Sequence, residues 1–295
     1  MQKYLLLLCL FSLFFLENTY AQKESLKQEI IHIAEDAKGT VGVALLNFET
    51  GKRLDYHGSD WLVMQSVFKF PIAVTVLHLV DQGKYKLDQR IHITKEDLPK
   101  NYSPLRDKYP EGNIDLSVAE LLSYVISLSD NNVCDILLKK VTSKEEVEQY
   151  MKQLGLKGIE VRASESEMLA NWKAQFTDRA KPLELLRLME LTYTGKALSA
   201  ESKAFLWKIM LETSTTPKRL KGLLPAGTLV AHKSGTSATD NNGISPATND
   251  IGIITLPNGQ HLALVVMVCN SAADKDTRDA VIARIAKAAY DDEQQ

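Results

Sequence analysis

Ser66 and Lys69 stand three residues apart at the start of a strongly apolar stretch, Phe68 to Val80, so on a helix both lie on one face. An ammonium inside such a stretch is expensive unless it is hydrogen-bonded or gives up its proton. A desolvated lysine beside a serine is one way to make a base that takes the hydroxyl proton, leaving the oxygen as a nucleophile. The free N–H groups of a helix start favour a developing anion at the same place. The competing reading is a capping serine and a lysine whose ammonium reaches water. Pro71 should tighten or kink this first turn.

Two further patterns are each ambiguous alone. Ser129-Asp130-Asn131 falls on a turn between two helical patterns, and all three residue types cap helices well. In a site, Ser129 would pass a proton to a leaving nitrogen and Asn131 would offer its amide to a substrate. Lys233-Ser234-Gly235 ends an apolar strand. It is either a strand end with a glycine turn, or a cation and a hydroxyl for an anionic substrate, with Gly235 letting the ligand approach the strand edge.

The elements that must position these residues follow from periodicity. A helix is expected over 24–37, a strand over Thr40–Phe48, and, after Glu49-Thr50-Gly51, a second strand over Lys52–His57. Residues 60–211 are mostly helical, with apolar residues at helical spacing in 117–127, 131–141, 144–154, 182–194 and 199–211. Strands return at Leu229–Lys233, Asp250–Leu256 and His261–Cys269, with Asn258-Gly259 as a hairpin turn, and a helix over Asp274–Ala289 closes the chain. The pattern predicts an α/β (α+β) fold: a five-stranded antiparallel sheet flanked by terminal helices, built from 22–59 and 212–295, packed on an all-helical domain, 60–211. A ligand site is expected in the cleft between them.

Residues 1–21 read as a leader. Lys3 precedes an apolar run, Leu5 to Leu16, and Thr19-Tyr20-Ala21 offers a cleavage site. The run is short for a membrane span of roughly 20 residues, so no stable membrane insertion is expected after cleavage. The 295 residues carry 35 Lys+Arg and 37 Asp+Glu, a formal charge of −2. That balance suits small-molecule chemistry and gives no basic stripe for nucleic acid. Cys134 and Cys269 lie in apolar contexts and are expected as buried free thiols. The histidines form no H-x-H or H-E-x-x-H pattern, so neither a metal site nor a cofactor is expected. Nothing in the sequence asks for more than a monomer.

In this order, S-x-x-K, S-D-N and K-[ST]-G are a signature shared by class A β-lactamases and penicillin-binding proteins. With Ser234 at the variable position, the sequence resembles the class A serine β-lactamases over essentially the whole chain beyond the leader, and the separations between 66, 129 and 233 look like that family too. The resemblance implies hydrolysis of a small-molecule β-lactam through a Ser66 acyl-enzyme, conferring antibiotic resistance, by an enzyme exported to the periplasm. It implies an oxyanion hole from the backbone N–H groups of Ser66 and Thr236, and a carboxylate site from Lys233, Ser234 and Thr236. Arg219 adds positive charge there, since Ile251 stands where many relatives keep an arginine. Tyr102, in Tyr102-Ser103-Pro104, matches the family's aromatic residue at the cleft mouth. Glu165, rather than Glu167, matches the glutamate that activates water for deacylation, and Arg162 with Asp178 would pin the neck of its loop.

Two departures bear on that reading. Leu169 stands where the family usually has Asn or His helping to hold the water, leaving Asn171, or Glu165 and Ser66 alone, for that task. The stretch Ser237 to Pro246 is longer than the usual hairpin, and with Asp240-Asn241-Asn242-Gly243 beside the substrate strand it points to bulky side chains, hence to a cephalosporinase or extended-spectrum branch. The alternatives are a D-alanyl-D-alanine carboxypeptidase of the penicillin-binding type and a β-lactam sensor that acylates without turnover.

Overall fold

A computed structural model describes residues 25–294; the expected leader lies outside the described residues. Its elements are helix α1 over 25–35, β1 (Thr40–Asn47), β2 (Arg53–Tyr56), β3 (Leu62–Val63), α2 (Lys69–Asp81), β4 (Arg90–Ile93), α3 (Pro104–Lys108), β5 (Ile114–Ser117), α4 (Val118–Ser127), α5 (Asn131–Lys140), α6 (Lys144–Gln153), β6 (Ile159–Glu160), α7 (Glu165–Ala170), β7 (Arg179–Ala180), α8 (Pro182–Tyr193), α9 (Ala200–Leu211), β8 (Val230–Thr236), β9 (Ser245–Thr255), β10 (His261–Ser271) and α10 (Lys275–Asp292).

Alternation along β10 explains the layering. Leu262, Leu264, Val266 and Val268 pack into one apolar cluster with Ile30 of α1 and Val281, Ile282 and Ile285 of α10. Ala263, Val265, Met267 and Cys269 face the opposite cluster, with α2, α4, α5, α8 and α9. Side chains on a strand alternate faces, so a strand covered on both sides reads as a continuous apolar run. The main sheet has the order β2-β1-β10-β9-β8, every neighbouring pair antiparallel, as the pattern predicts. Gly259, with φ 82°, makes the turn between β9 and β10.

Three local differences from expectation have physical reasons. β9 begins at Ser245, five residues before the apolar pattern starts, because ladder bonds to β8 and β10 order the polar Ser-Pro-Ala-Thr-Asn run. The connection after β8 is therefore 237–244, shorter than the sequence suggests. Pro71 lies in the first turn of α2, where its missing N–H costs nothing; the tightening appears one step earlier, as a 3-10 turn over Gln65–Phe68. The small ladders β3-β7-β6 and β4-β5 are too short to leave a periodic signal.

Ile285 of α10 is fully buried against the sheet. Replacing it by alanine should destabilise the fold by about 2–5 kcal/mol, measured by denaturant unfolding, with turnover per folded molecule unchanged.

Candidate active site

The apolar helix α2 carries Lys69 into the interior at its first position, and its side chain is completely buried. Its ammonium donates to Ser129 O (2.8 Å), Asn131 Oδ1 (2.6 Å) and Ser66 Oγ (3.1 Å). It also faces Glu165 Oε1 at 2.7 Å as an ion pair, although that oxygen takes no well-directed hydrogen bond. The lysine therefore does not reach out to water. Ser66 sits in the 3-10 turn just before α2, after Gln65, whose backbone is left-handed (φ 46°).

Ser129 joins the two lysines of the site. Its backbone is also left-handed (φ 58°), its carbonyl accepts from Lys69, and its hydroxyl accepts from Lys233 Nζ at 2.9 Å. Asp130 is the buried cap of α5, accepting from Val133 N, Leu105 N and Ser103 Oγ. Burial holds its carboxyl above the usual range, despite those donors. The same contacts tie the 101–105 segment to α5, and Asn131 N donates to Tyr102 O at 3.1 Å. Tyr102 stays 56% exposed at the mouth, its hydroxyl on Leu128 O.

β8 brings the third motif against the nucleophile. A Cβ on Gly235 would lie 2.5 Å from Met64 O and 3.0 Å from Ser66 N, so only glycine permits this approach. Lys233 is fully buried and donates to Ser129 Oγ and Ser234 O. Burial, reinforced by the charge of Lys69, pushes its ammonium well below the usual lysine range. Ile251 pairs with Lys233 across the ladder and is buried. Arg219 lies behind this strand rather than on the cavity wall. It is fully buried, with Nε on Asp279 Oδ1 (2.7 Å), Nη1 on Gly235 O and Asn249 O, and Nη2 on Thr236 Oγ1 (2.7 Å).

These groups enclose a cavity of about 330 Å³, lined by Ser66, Tyr102, Ser129, Asn131, Glu165 and Ser234–Thr236. Gln65, Thr215 and Thr216 also line it. No sequence pattern marks them: only the left-handed backbone of Gln65 and Thr216 (φ 52°) sets them apart.

The loop carrying Glu165 is held from below. Asp135 of α5 accepts from Glu165 N (2.8 Å) and Ser166 N (2.9 Å), fixing the start of α7. Ser164 and Glu167 form a capping box, and Glu167 turns outward to Lys144, so Glu165 is the carboxylate that faces Lys69. Leu169 is 63% exposed, and Asn171 caps the following turn through Lys173 N instead of reaching inward. The neck is not pinned by an Arg162–Asp178 ion pair. Asp178 Oδ1 accepts from the backbone N–H of Arg162 and Ala163, while the Arg162 guanidinium pairs with Glu160 and Glu148. Asp178 Oδ2 has no partner, and burial raises the carboxyl to about 7. Cys134 and Cys269 are buried free thiols.

A sheet covered by helices on both faces, a serine hydrogen-bonded to a buried lysine and a loop carboxylate beside them define a class of serine acyl-transfer enzymes. The model of the β-lactamase enzyme family matches residues 25–292, and this chain belongs to that family, in its class A serine branch. It is 40% identical to β-lactamase VEB-1 of Pseudomonas aeruginosa over 286 residues, covering 96% of this chain and 95% of that one. The crystal structure of the TLA-3 extended-spectrum β-lactamase superposes with a TM-score of 0.90 at 43% identity, over 92% of this chain and 100% of that one. A class A β-lactamase from Bacteroides cellulosilyticus gives 0.88 at 38% identity, covering 92% and 98%.

Gly235→Ala should lower kcat/KM at least about 100-fold, because a shift of the order of 1 Å at the reacting groups suffices for that loss. Asp178→Asn tests the buried carboxyl. Because its pKa rises on folding, from 3.8 to about 7, the native state binds the extra proton between those values, so its contribution to stability falls as pH rises through that window. The Tm difference, variant minus wild type, should therefore grow in the variant's favour from pH 5 to pH 8.

Proposed function

We propose that the protein hydrolyses the amide of β-lactam antibiotics by acylation and deacylation at Ser66, conferring resistance. The observation that carries this reading is that one buried ammonium, Lys69 Nζ, touches both Ser66 Oγ and Glu165 Oε1. An ammonium has three hydrogens to give, and four oxygens surround this one; passing one hydrogen to Glu165 leaves the Lys69 amine to take the Ser66 hydroxyl proton as the oxygen attacks. Ser66 attacks the lactam carbonyl, whose developing anion lies between the backbone N–H groups of Ser66 and Thr236. Ser129, hydrogen-bonded to Lys233, returns a proton to the departing nitrogen. Lys233, Ser234 and Thr236 hold the substrate carboxylate beside Gly235. Arg219 acts there through Thr236: its Nη2 fills the acceptor side of Oγ1, leaving the threonine proton to point at the carboxylate. Asn131 and Tyr102 contact the acyl side chain.

Glu165 then activates the water that releases the acyl group. Leu169 and Asn171 both point elsewhere, so Glu165 and Ser66 hold that water themselves. This carboxylate beside the ammonium is what favours hydrolysis over the long-lived acyl-enzymes of a D-alanyl-D-alanine carboxypeptidase or a non-turnover sensor. The similarity to an enzyme named extended-spectrum supports activity on cephalosporins with large side chains. We further read residues 1–21 as an export signal to the periplasm, and 22–59 with 212–295 and 60–211 as the two parts between which the cavity opens. We read the protein as working as a monomer.

The test mixes wild type and Glu165→Gln with a chromogenic cephalosporin, following turnover and intact mass. Wild type should turn over. The variant should deacylate about 10²–10⁴ times more slowly and accumulate one adduct on Ser66, whereas multiple rapid turnovers by the variant would remove Glu165 from its role.

A further inference from the structure

Resting on that reading, we infer that Gln175 is a positioning residue for the oxyanion hole. Its single Oε1 ties together the residues adjoining both N–H donors. Gln65 precedes Ser66 and donates through Nε2 to Gln175 Oε1 at 2.7 Å. Ser237 follows Thr236 and donates through Oγ to the same oxygen at 2.9 Å. An amide carbonyl has two lone pairs, and here each takes one donor. The amide nitrogen of Gln175 donates to Trp172 O at 2.9 Å, which fixes the direction of Oε1.

The surroundings make this bridge consequential. Gln175 is 3% exposed, so neither donor is exchanged for water at little cost. Gln65 is a non-glycine residue held at φ 46°, directly before the nucleophile, a conformation that persists only when neighbouring contacts impose it. Gly235 lets β8 pass within van der Waals reach of Met64 and Ser66, so the two donor segments are already close. Gln175 sets their spacing from the third side. It lies in the 3-10 turn Trp172–Thr177, on the same loop as Glu165. That loop thus reaches both halves of the reaction: Glu165 serves deacylation, and Gln175 serves formation of the anion during acylation.

The experiment uses the Glu165→Gln background, in which the acyl-enzyme accumulates, and adds Gln175→Leu. The acylation rate with a chromogenic cephalosporin should fall about 10- to 100-fold, less than or equal to the loss of a whole oxyanion donor, with little change in the substrate concentration that half-saturates acylation. In the infrared, the carbonyl band of the acyl-enzyme should move to higher wavenumber as its hydrogen bonds weaken. Gln175→Glu, which keeps an acceptor for both donors, should leave the band near its original position. Ser237→Ala removes one arm with little change in volume and should give a smaller displacement, which keeps the idea testable if Gln175→Leu folds poorly. An unmoved band, with acylation within twofold in both Gln175→Leu and Ser237→Ala, overturns the role of Gln175 and leaves the hydrolase reading intact. Failure of the parent protein to acylate at Ser66 overturns that reading, and this inference with it.

Discussion

Placing the Lys69 ammonium out of water is the constraint around which the molecule is organised. Desolvating such an ion costs several kcal/mol even after relaxation, so oxygen partners must come to it. They arrive from the turn holding Ser66, the turn at Ser129, α5 at Asn131 and α7 at Glu165. None of those segments is free to wander. The packing of α2 fixes where Nζ lies, the capping of α5 by Asp130 fixes Ser129 and Asn131, and Asp135 fixes the start of α7. The apolar core and the chemistry are in this sense one arrangement.

Two other buried cations near the site, Arg219 and Lys233, contrast with each other. Arg219 meets Asp279 directly, so much of its charge is balanced within the fold. Lys233 is bonded only to a hydroxyl and a carbonyl, and Lys69 lowers its proton affinity further. An arriving anion therefore gains most at Lys233, while Arg219 and Asp279 hold the strand and Thr236 in register. Ile251, opposite Lys233, adds bulk and no charge, consistent with the guanidinium entering from behind the strand instead of along it.

Much of this was legible in the sequence, for identifiable reasons. The five-stranded sheet shows because its central strands, β1 and β10, are apolar on both faces, and the motif residues show because their spacing is set by helix and strand ends. Glu165 could be separated from Glu167 only by chain distance; in three dimensions the capping box of Ser164 with Glu167 makes the distinction physical. What stayed hidden lacks a local signal. Gln65, Gln175, Thr215 and Thr216 are polar residues in irregular segments, and their roles come from contacts between distant parts of the chain. Asp178 and Arg162 both stand out in the sequence, but pairing them by charge misleads: backbone N–H groups claim the carboxylate, and the guanidinium meets Glu160 and Glu148 instead.

The pairing of β1 with β10 also sets an order of events during synthesis. Thr40 finds its partner at Cys269, near the other end of the chain. The central strand that holds β9, and through it β8, is thus among the last segments to emerge, and sheets built from such remote partners close late and slowly. Until then the helices around α2 have a nucleophile but no strand bearing Lys233 and Gly235 beside it. A chain truncated before β10 consequently contains the serine and the lysine but not the strand through which β9 and β8 join β1.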